Sequence, residues 1–78
     1  MIRKKELEIG KYYKIIHKYQ GEVIVRYEGN SSLNKNKMRF LIIEGGIDNR
    51  IYIDAKPSYV RCYYIPILDL DIWLILMS

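Results

Sequence analysis

Seventy-eight residues, half of them apolar and with a formal net charge of +4, suit one domain and leave no room for a second. A single cysteine excludes an internal disulfide, and with only one histidine beside it a His/Cys zinc site cannot be built within one chain. The longest uncharged apolar run, 72–77, falls far short of the ~20 residues of a spanning helix, so no membrane segment is expected.

A chain this small buries about 60–65% of the surface its unfolded form exposes, so dense packing or oligomerisation must assist its stability. Arg3, Lys4 and Lys5 are followed by Glu6 and Glu8 in place of an apolar run, so no signal sequence is expected and a cytoplasmic location is the default. Charge is uneven. Positions 3–18 carry six of the thirteen Lys and Arg residues, and nothing after Arg61 is basic. A basic half permits contact with nucleic acid or an acidic protein surface.

Residues 1–9 read as a charged lead-in anchored by Ile2, Leu7 and Ile9, forming one helical turn or lying extended. In 11–19, Ile9, Tyr12, Tyr13 and Ile16 have helical spacing, and Gly21 would suit a helix end. Against a helix, Gly10 would lie inside it, and Tyr and Ile favour a pleated surface. The reading is a strand with Tyr13, Ile15 and Tyr19 inward and Tyr12, Lys14 and Lys18 outward. Gln20-Gly21 marks a turn, and 22–28 alternates Val23, Val25 and Tyr27 against Glu22, Arg26 and Glu28, completing a first hairpin.

The polar run 29–36 is the longest expected loop and the place to expect mobility. A third strand over 38–44 sets Met38, Phe40 and Ile42 opposite Leu41 and Ile43, and the Gly45-Gly46 turn leads to a fourth over 50–54. Pro57 forces Lys56 out of helical geometry in the connector 55–58. A fifth strand over 59–65 would place Tyr59, Arg61 and Tyr63 outward and Val60, Cys62 and Tyr64 inward, until Pro66 interrupts its ladder. In the last strand, Leu68, Leu70, Ile72, Leu74 and Leu76 share one face. The other begins with Asp69 and Asp71 and turns apolar at Trp73, Ile75 and Met77. Its final half is therefore expected to be covered on both faces, by the chain or by another molecule. Short strands with turns roughly every eight to twelve residues indicate an all-β barrel or sandwich.

The run Leu7-Glu8-Ile9-Gly10-Lys11-Tyr12-Tyr13-Lys14-Ile15, followed by Gly21-Glu22-Val23-Ile24-Val25-Arg26-Tyr27, resembles the opening of SH3-like barrels. There an apolar residue and a glycine lead into the first strand, and a Gly-led second strand carries alternating valines. The resemblance implies a small five- or six-stranded barrel behind the charged lead-in. The SH3-like and Tudor-like group binds peptides, modified tails or nucleic acid through aromatic residues around loops. This sequence carries neither a proline-peptide groove signature nor an aromatic cage, so no binding residue is transferred. Its excess of Ile, Lys, Tyr and Asn is similar to that of small accessory proteins from phages and mobile elements of AT-rich bacteria.

Catalysis is not expected, nor is a cofactor or metal. His17 has no second histidine to relay protons. Adjacent strand residues point to opposite faces, so Arg61 should not activate Cys62. Asp69 and Asp71, roughly 6.5–7 Å apart along a strand, have the spacing of a glycosidase pair but no sugar platform. Gly45-Gly46 lacks the Lys-Ser/Thr and helix start of a phosphate loop. Binding is the expected mode of action. A Trp73/Ile75/Met77 patch would be too large to leave in water on a small monomer unless Ile2, Leu7 and Ile9 cover it, which suggests a homo-oligomer, a dimer first. If the first and fifth strands are neighbours, Tyr12, Lys14, Lys18, Tyr59, Arg61 and Tyr63 form one surface, which Lys35, Lys37 and Arg39 could extend. The expectation is a binding or inhibitory protein of a phage or mobile element, acting in the host cytoplasm on an acidic protein partner. The alternative is a nucleic-acid or nucleotide-binding barrel using the same face.

Overall fold

The structure, a computed structural model, describes residues 1–47 and 49–65. Five antiparallel strands form one open sheet: β1 (Tyr12–His17), β2 (Gly21–Asn30), β3 (Met38–Gly45), β4 (Tyr52–Ala55) and β5 (Val60–Tyr63). Their order is β4-β3-β2-β1-β5. The first four make a meander of three successive hairpins, and the chain then returns through a 3₁₀ turn, Pro57–Tyr59, to lay β5 beside β1. Among the described residues no helix is long and apolar enough to cross a membrane.

Alternation explains the core. Tyr13 and Ile15, Val23, Val25 and Tyr27, Met38 and Phe40, Ile53 and Ala55, and Val60 and Cys62 form one buried cluster fed by all five strands. Phe40, Ile15, Met38, Val23 and Val25 are fully enclosed, and each such side chain contributes about 1.5–3 kcal/mol of transfer free energy. A flat single sheet would leave that face in water. Bending is supplied in β2, whose register with β3 shifts between Ile24 and Val25 and between Tyr27 and Gly29. The strand pairs with β1 through Gly21–Arg26 and with β3 along most of its length.

The segment 11–19 is a strand as read, but it ends at His17, two residues early. Tyr19, expected inward, lies beyond the ladder and is 62% exposed. Tyr64 is corrected likewise: β5 stops at Tyr63, and Tyr64 is 69% exposed. Tyr59 belongs to the 3₁₀ turn and not to the fifth strand. β2 runs two residues past its expected end, because Gly29 at φ +94° continues the ladder to Asn30, which pairs with Met38. The shortened loop is stitched by Ser31 N–H to the Lys37 carbonyl (2.8 Å), Lys37 N–H to the Asn34 carbonyl (3.0 Å) and Asn36 N–H to Asn34 Oδ1 (2.9 Å).

The lead-in forms a 3₁₀ turn, Lys4–Glu6, and buries Ile2 and Leu7 against the core. Ile2 N–H donates to the Cys62 carbonyl at 2.7 Å, covering part of the outer edge of β5. Ile9, the third expected anchor, is 72% exposed beside Gly29. Asp69 and Asp71, the stripe Leu68, Leu70, Ile72, Leu74 and Leu76, and the patch Trp73, Ile75 and Met77 all lie outside the described residues.

Candidate functional site

The meeting of β1 and β5 brings together the residues expected to share a surface. Lys14 stands opposite Tyr63 and Ile16 opposite Arg61. Two residues before Lys14 on β1, Tyr12 pairs with Arg26 of β2. This part of the face is mixed in charge: Lys14 Nζ lies 3.4 Å from Glu22, and Arg26 holds Glu28. Arg39 does not extend it, because β2 lies between β3 and β1, whereas Lys37 reaches the end of the sheet and lines a cavity with His17 and Tyr59. Arg39 instead grips Asp54 on β4, with Nε at 2.8 Å from Oδ1 and one terminal nitrogen at 2.9 Å from Oδ2, and its guanidinium lies 5.0 Å from the Tyr52 ring centre.

Lys18 and Tyr59 sit at one end of the sheet, where Lys18 N–H donates to the Tyr59 carbonyl at 2.9 Å and continues the β1–β5 pairing past the strand ends. The Lys18 ammonium lies 5.1 Å from the Tyr59 ring centre and 5.7 Å from that of Tyr19. The two rings meet edge to face, 6.0 Å apart.

His17 fixes this arrangement from below. Its Nδ1 accepts the N–H groups of Tyr19 and Gln20, each at 3.1 Å, closing the β1–β2 turn around Gly21. An Nδ1 that accepts two hydrogen bonds is unprotonated, so the ring proton sits on Nε2. Burial, and then the Arg50 charge, push the His17 pKa below the usual histidine value. Gln20 is itself buried, and its Oε1 accepts Ile47 N–H at 3.0 Å, tying the β1–β2 turn to the β3–β4 loop.

Two cavities flank these residues. One, of about 320 Å³, is lined by His17, Tyr19 and Tyr59 on the turns and by Lys37, Asp54 and Lys56, over the buried apolar Ile53 and Ala55. The other, of about 410 Å³, opens along the β1–β5 face between Lys18 and Arg61 and shares His17 and Tyr59 with the first. Asp54 is the acidic group of the first cavity among the described residues, and both of its oxygens are taken by Arg39. That guanidinium holds its carboxyl below the usual carboxylate range. Of the lysines here, none of Lys18, Lys37 and Lys56 forms an ion pair within 4 Å among the described residues, and Asp54 interacts with Lys37 only at longer range.

Neither Tyr19 nor Lys56 was expected in a site. Tyr19 follows the end of β1, and Lys56 precedes the 3₁₀ turn started by Pro57, so both sit in turns that only the tertiary fold brings together. Cys62 is enclosed in the core, where burial pushes its thiol up to about 11, and it plays no part in this surface. Among the described residues no three His, Cys, Asp or Glu side chains converge to hold a metal ion.

No protein-family model matches the chain, and no similar curated protein or solved structure was found.

Proposed function

We propose that the protein is a non-catalytic, SH3-like binding barrel that holds single-stranded nucleic acid along the surface joined by β1 and β5. The barrel reading is supported by the strand order, by the bent β2, and by the 3₁₀ turn that returns β5 to the side of β1. The observation that carries the binding reading is the cluster of Lys18, Tyr19 and Tyr59 beside the cavity that opens toward Arg61. Exposed tyrosine rings give bases a stacking surface without regard to sequence, and the neighbouring cations hold the backbone phosphates. An acidic protein would use the cations but has less need of two exposed rings.

The test is fluorescence anisotropy with a labelled twelve-residue oligothymidylate over a range of salt. Lys14, Lys18 and Arg61 together neutralise about three phosphates, which gives a slope of log K against log salt of about −2. The double variant K14E/R61E should weaken binding at least about tenfold. A flat salt dependence would refute the reading.

A second reading, self-association through Trp73, Ile75 and Met77, is favoured by one observation. Ile9, one of the three lead-in residues expected to cover that patch, is 72% exposed and so provides no such cover. A dimer by light scattering that survives high salt and dissociates in Trp73→Gln supports it. A monomer at every salt concentration removes it.

A further inference from the structure

We infer that the 320 Å³ cavity at the end of the sheet is a subsite for one nucleotide unit, with the base against Tyr19 and Tyr59 and the phosphate between Lys37 and Lys56. The inference rests on the nucleic-acid reading for its biological source, but the cavity has its own chemistry. Its volume, about 320 Å³, lies at the small end of the roughly 300–1,000 Å³ typical of ligand pockets, which suits one nucleotide unit.

Its lining supplies both halves of such a ligand. Tyr19 and Tyr59 both line the cavity with their rings at 66° to one another, so a planar base stacked on one ring would meet the edge of the other. Lys37 and Lys56 provide ammonium groups. The Asp54 carboxylate, which would otherwise repel a phosphate, is held in a two-point bond by Arg39. The His17 ring, with its proton on Nε2, offers a neutral donor, while Ile53 and Ala55 supply an apolar base. Because Tyr59 and His17 line the adjoining cavity as well, a strand lying between Lys18 and Arg61 reaches this subsite by passing one ring. Two neighbouring nucleotides would then sit on opposite sides of Tyr59.

A nucleotide unit has two sources, the end of a strand or a free mononucleotide, and the experiment separates them. Backbone amide spectra of the whole chain are followed during titration with thymidine 5′-monophosphate, and in parallel with the oligothymidylate. The expected result is that the monophosphate shifts the amides of Tyr19, Lys37 and Lys56. K37E/K56E should lose that response and bind the oligonucleotide several-fold more weakly, whereas K14E/R61E should keep the response to the monophosphate. Shifts at these amides by the monophosphate, without oligonucleotide binding, uphold the subsite for a free nucleotide and remove the nucleic-acid reading. Oligonucleotide binding that leaves these amides unmoved overturns the subsite while the outer surface stands. An unresponsive wild-type protein in both titrations overturns both, and because it uses the unmodified chain this outcome does not depend on any variant folding.

Discussion

Gly45 offers the sharpest test of the packing that supports the site. It lies at the end of β3 opposite Val23, with φ +92°. A Cβ there would fall 2.7 Å from the carbonyl oxygen of Glu22 and 3.3 Å from the Val23 Cα, both backbone atoms that cannot rotate away. Gly21 is the control, with φ +74° and no heavy atom within 4 Å of its would-be Cβ. Placing alanine at positive φ costs about 1–2 kcal/mol at either position. The gain from a stiffer unfolded chain, about 0.4–1 kcal/mol, is common to both and cancels in the comparison. Gly45→Ala carries a further overpacking cost of about 1–3 kcal/mol, because β2 or β3 must shift to relieve the overlap. At about 4–8 °C per kcal/mol, its melting temperature should lie about 4–24 °C below that of Gly21→Ala. A domain of this length has only about 4–12 kcal/mol of total stability, so the difference is large. Differential scanning calorimetry of the two variants decides the matter. Equal losses would mean that β2 and β3 do not approach as closely at this turn as the structure has them.

Two pH dependences follow from named contacts. His17 has a lowered pKa in the folded chain, so the unfolded state binds the proton first. The stability it contributes is complete above the ordinary histidine value of about 6.5 and is lost as pH falls through the lowered folded value. Urea midpoints should drop on that limb for the wild type and flatten in His17→Ala; an unchanged slope would contradict the double acceptance at Nδ1. Asp54 is likewise depressed, so its contribution is complete above the ordinary carboxyl value of about 3.9 and fades as pH falls through the folded value. Asp54→Asn should remove that part of the acid limb, and Arg39→Ala should both raise the Asp54 pKa, read by carboxyl carbon chemical shifts, and weaken monophosphate binding. Binding unaffected by Arg39→Ala would mean that the Asp54 charge does not bear on the cavity.

Alternation was a sound guide wherever the ladder continued. Val23, Val25 and Tyr27, Met38 and Phe40, and Val60 and Cys62 all face the core as their spacing implies. It failed where the ladder stopped. Tyr19 and Tyr64 satisfy the period, but no strand pairing holds them to it, and with polar hydroxyls they remain in water. The opposite error occurred at Gly29, where a glycine taken as the start of a loop makes a bulge and lets β2 continue. Tyr12, Lys14, Arg61 and Tyr63 could be grouped from sequence on the single condition that the first and fifth strands are neighbours, and they are. The cavity could not be anticipated in this way. Its residues come from the end of β1 and the turn after it, the loop before β3, the β3–β4 loop, β4 and the 3₁₀ turn with the residue before it, and no local pattern encodes their meeting.

What joins those turns is hydrogen bonding of their backbone amides, mostly to side-chain acceptors, and this bears on how the site would bind. His17 Nδ1 holds two amides of the β1–β2 turn, Gln20 Oε1 holds Ile47 of the β3–β4 loop, and the Tyr59 carbonyl holds Lys18. Each bond pins a different segment to the same end of the sheet, so the backbone beneath Tyr19 and Tyr59 is already ordered before a ligand arrives. Tyrosine has few rotatable bonds, so little further entropy is lost when its ring is covered, whereas each lysine that is fixed costs about 0.5–1.5 kcal/mol. On the nucleic-acid reading proposed above, rigid rings and flexible ammonium groups would therefore divide the work: the rings would position a base, and the lysines would follow the phosphate wherever the strand placed it. That division favours affinity for the chemical class of the ligand over discrimination among base sequences.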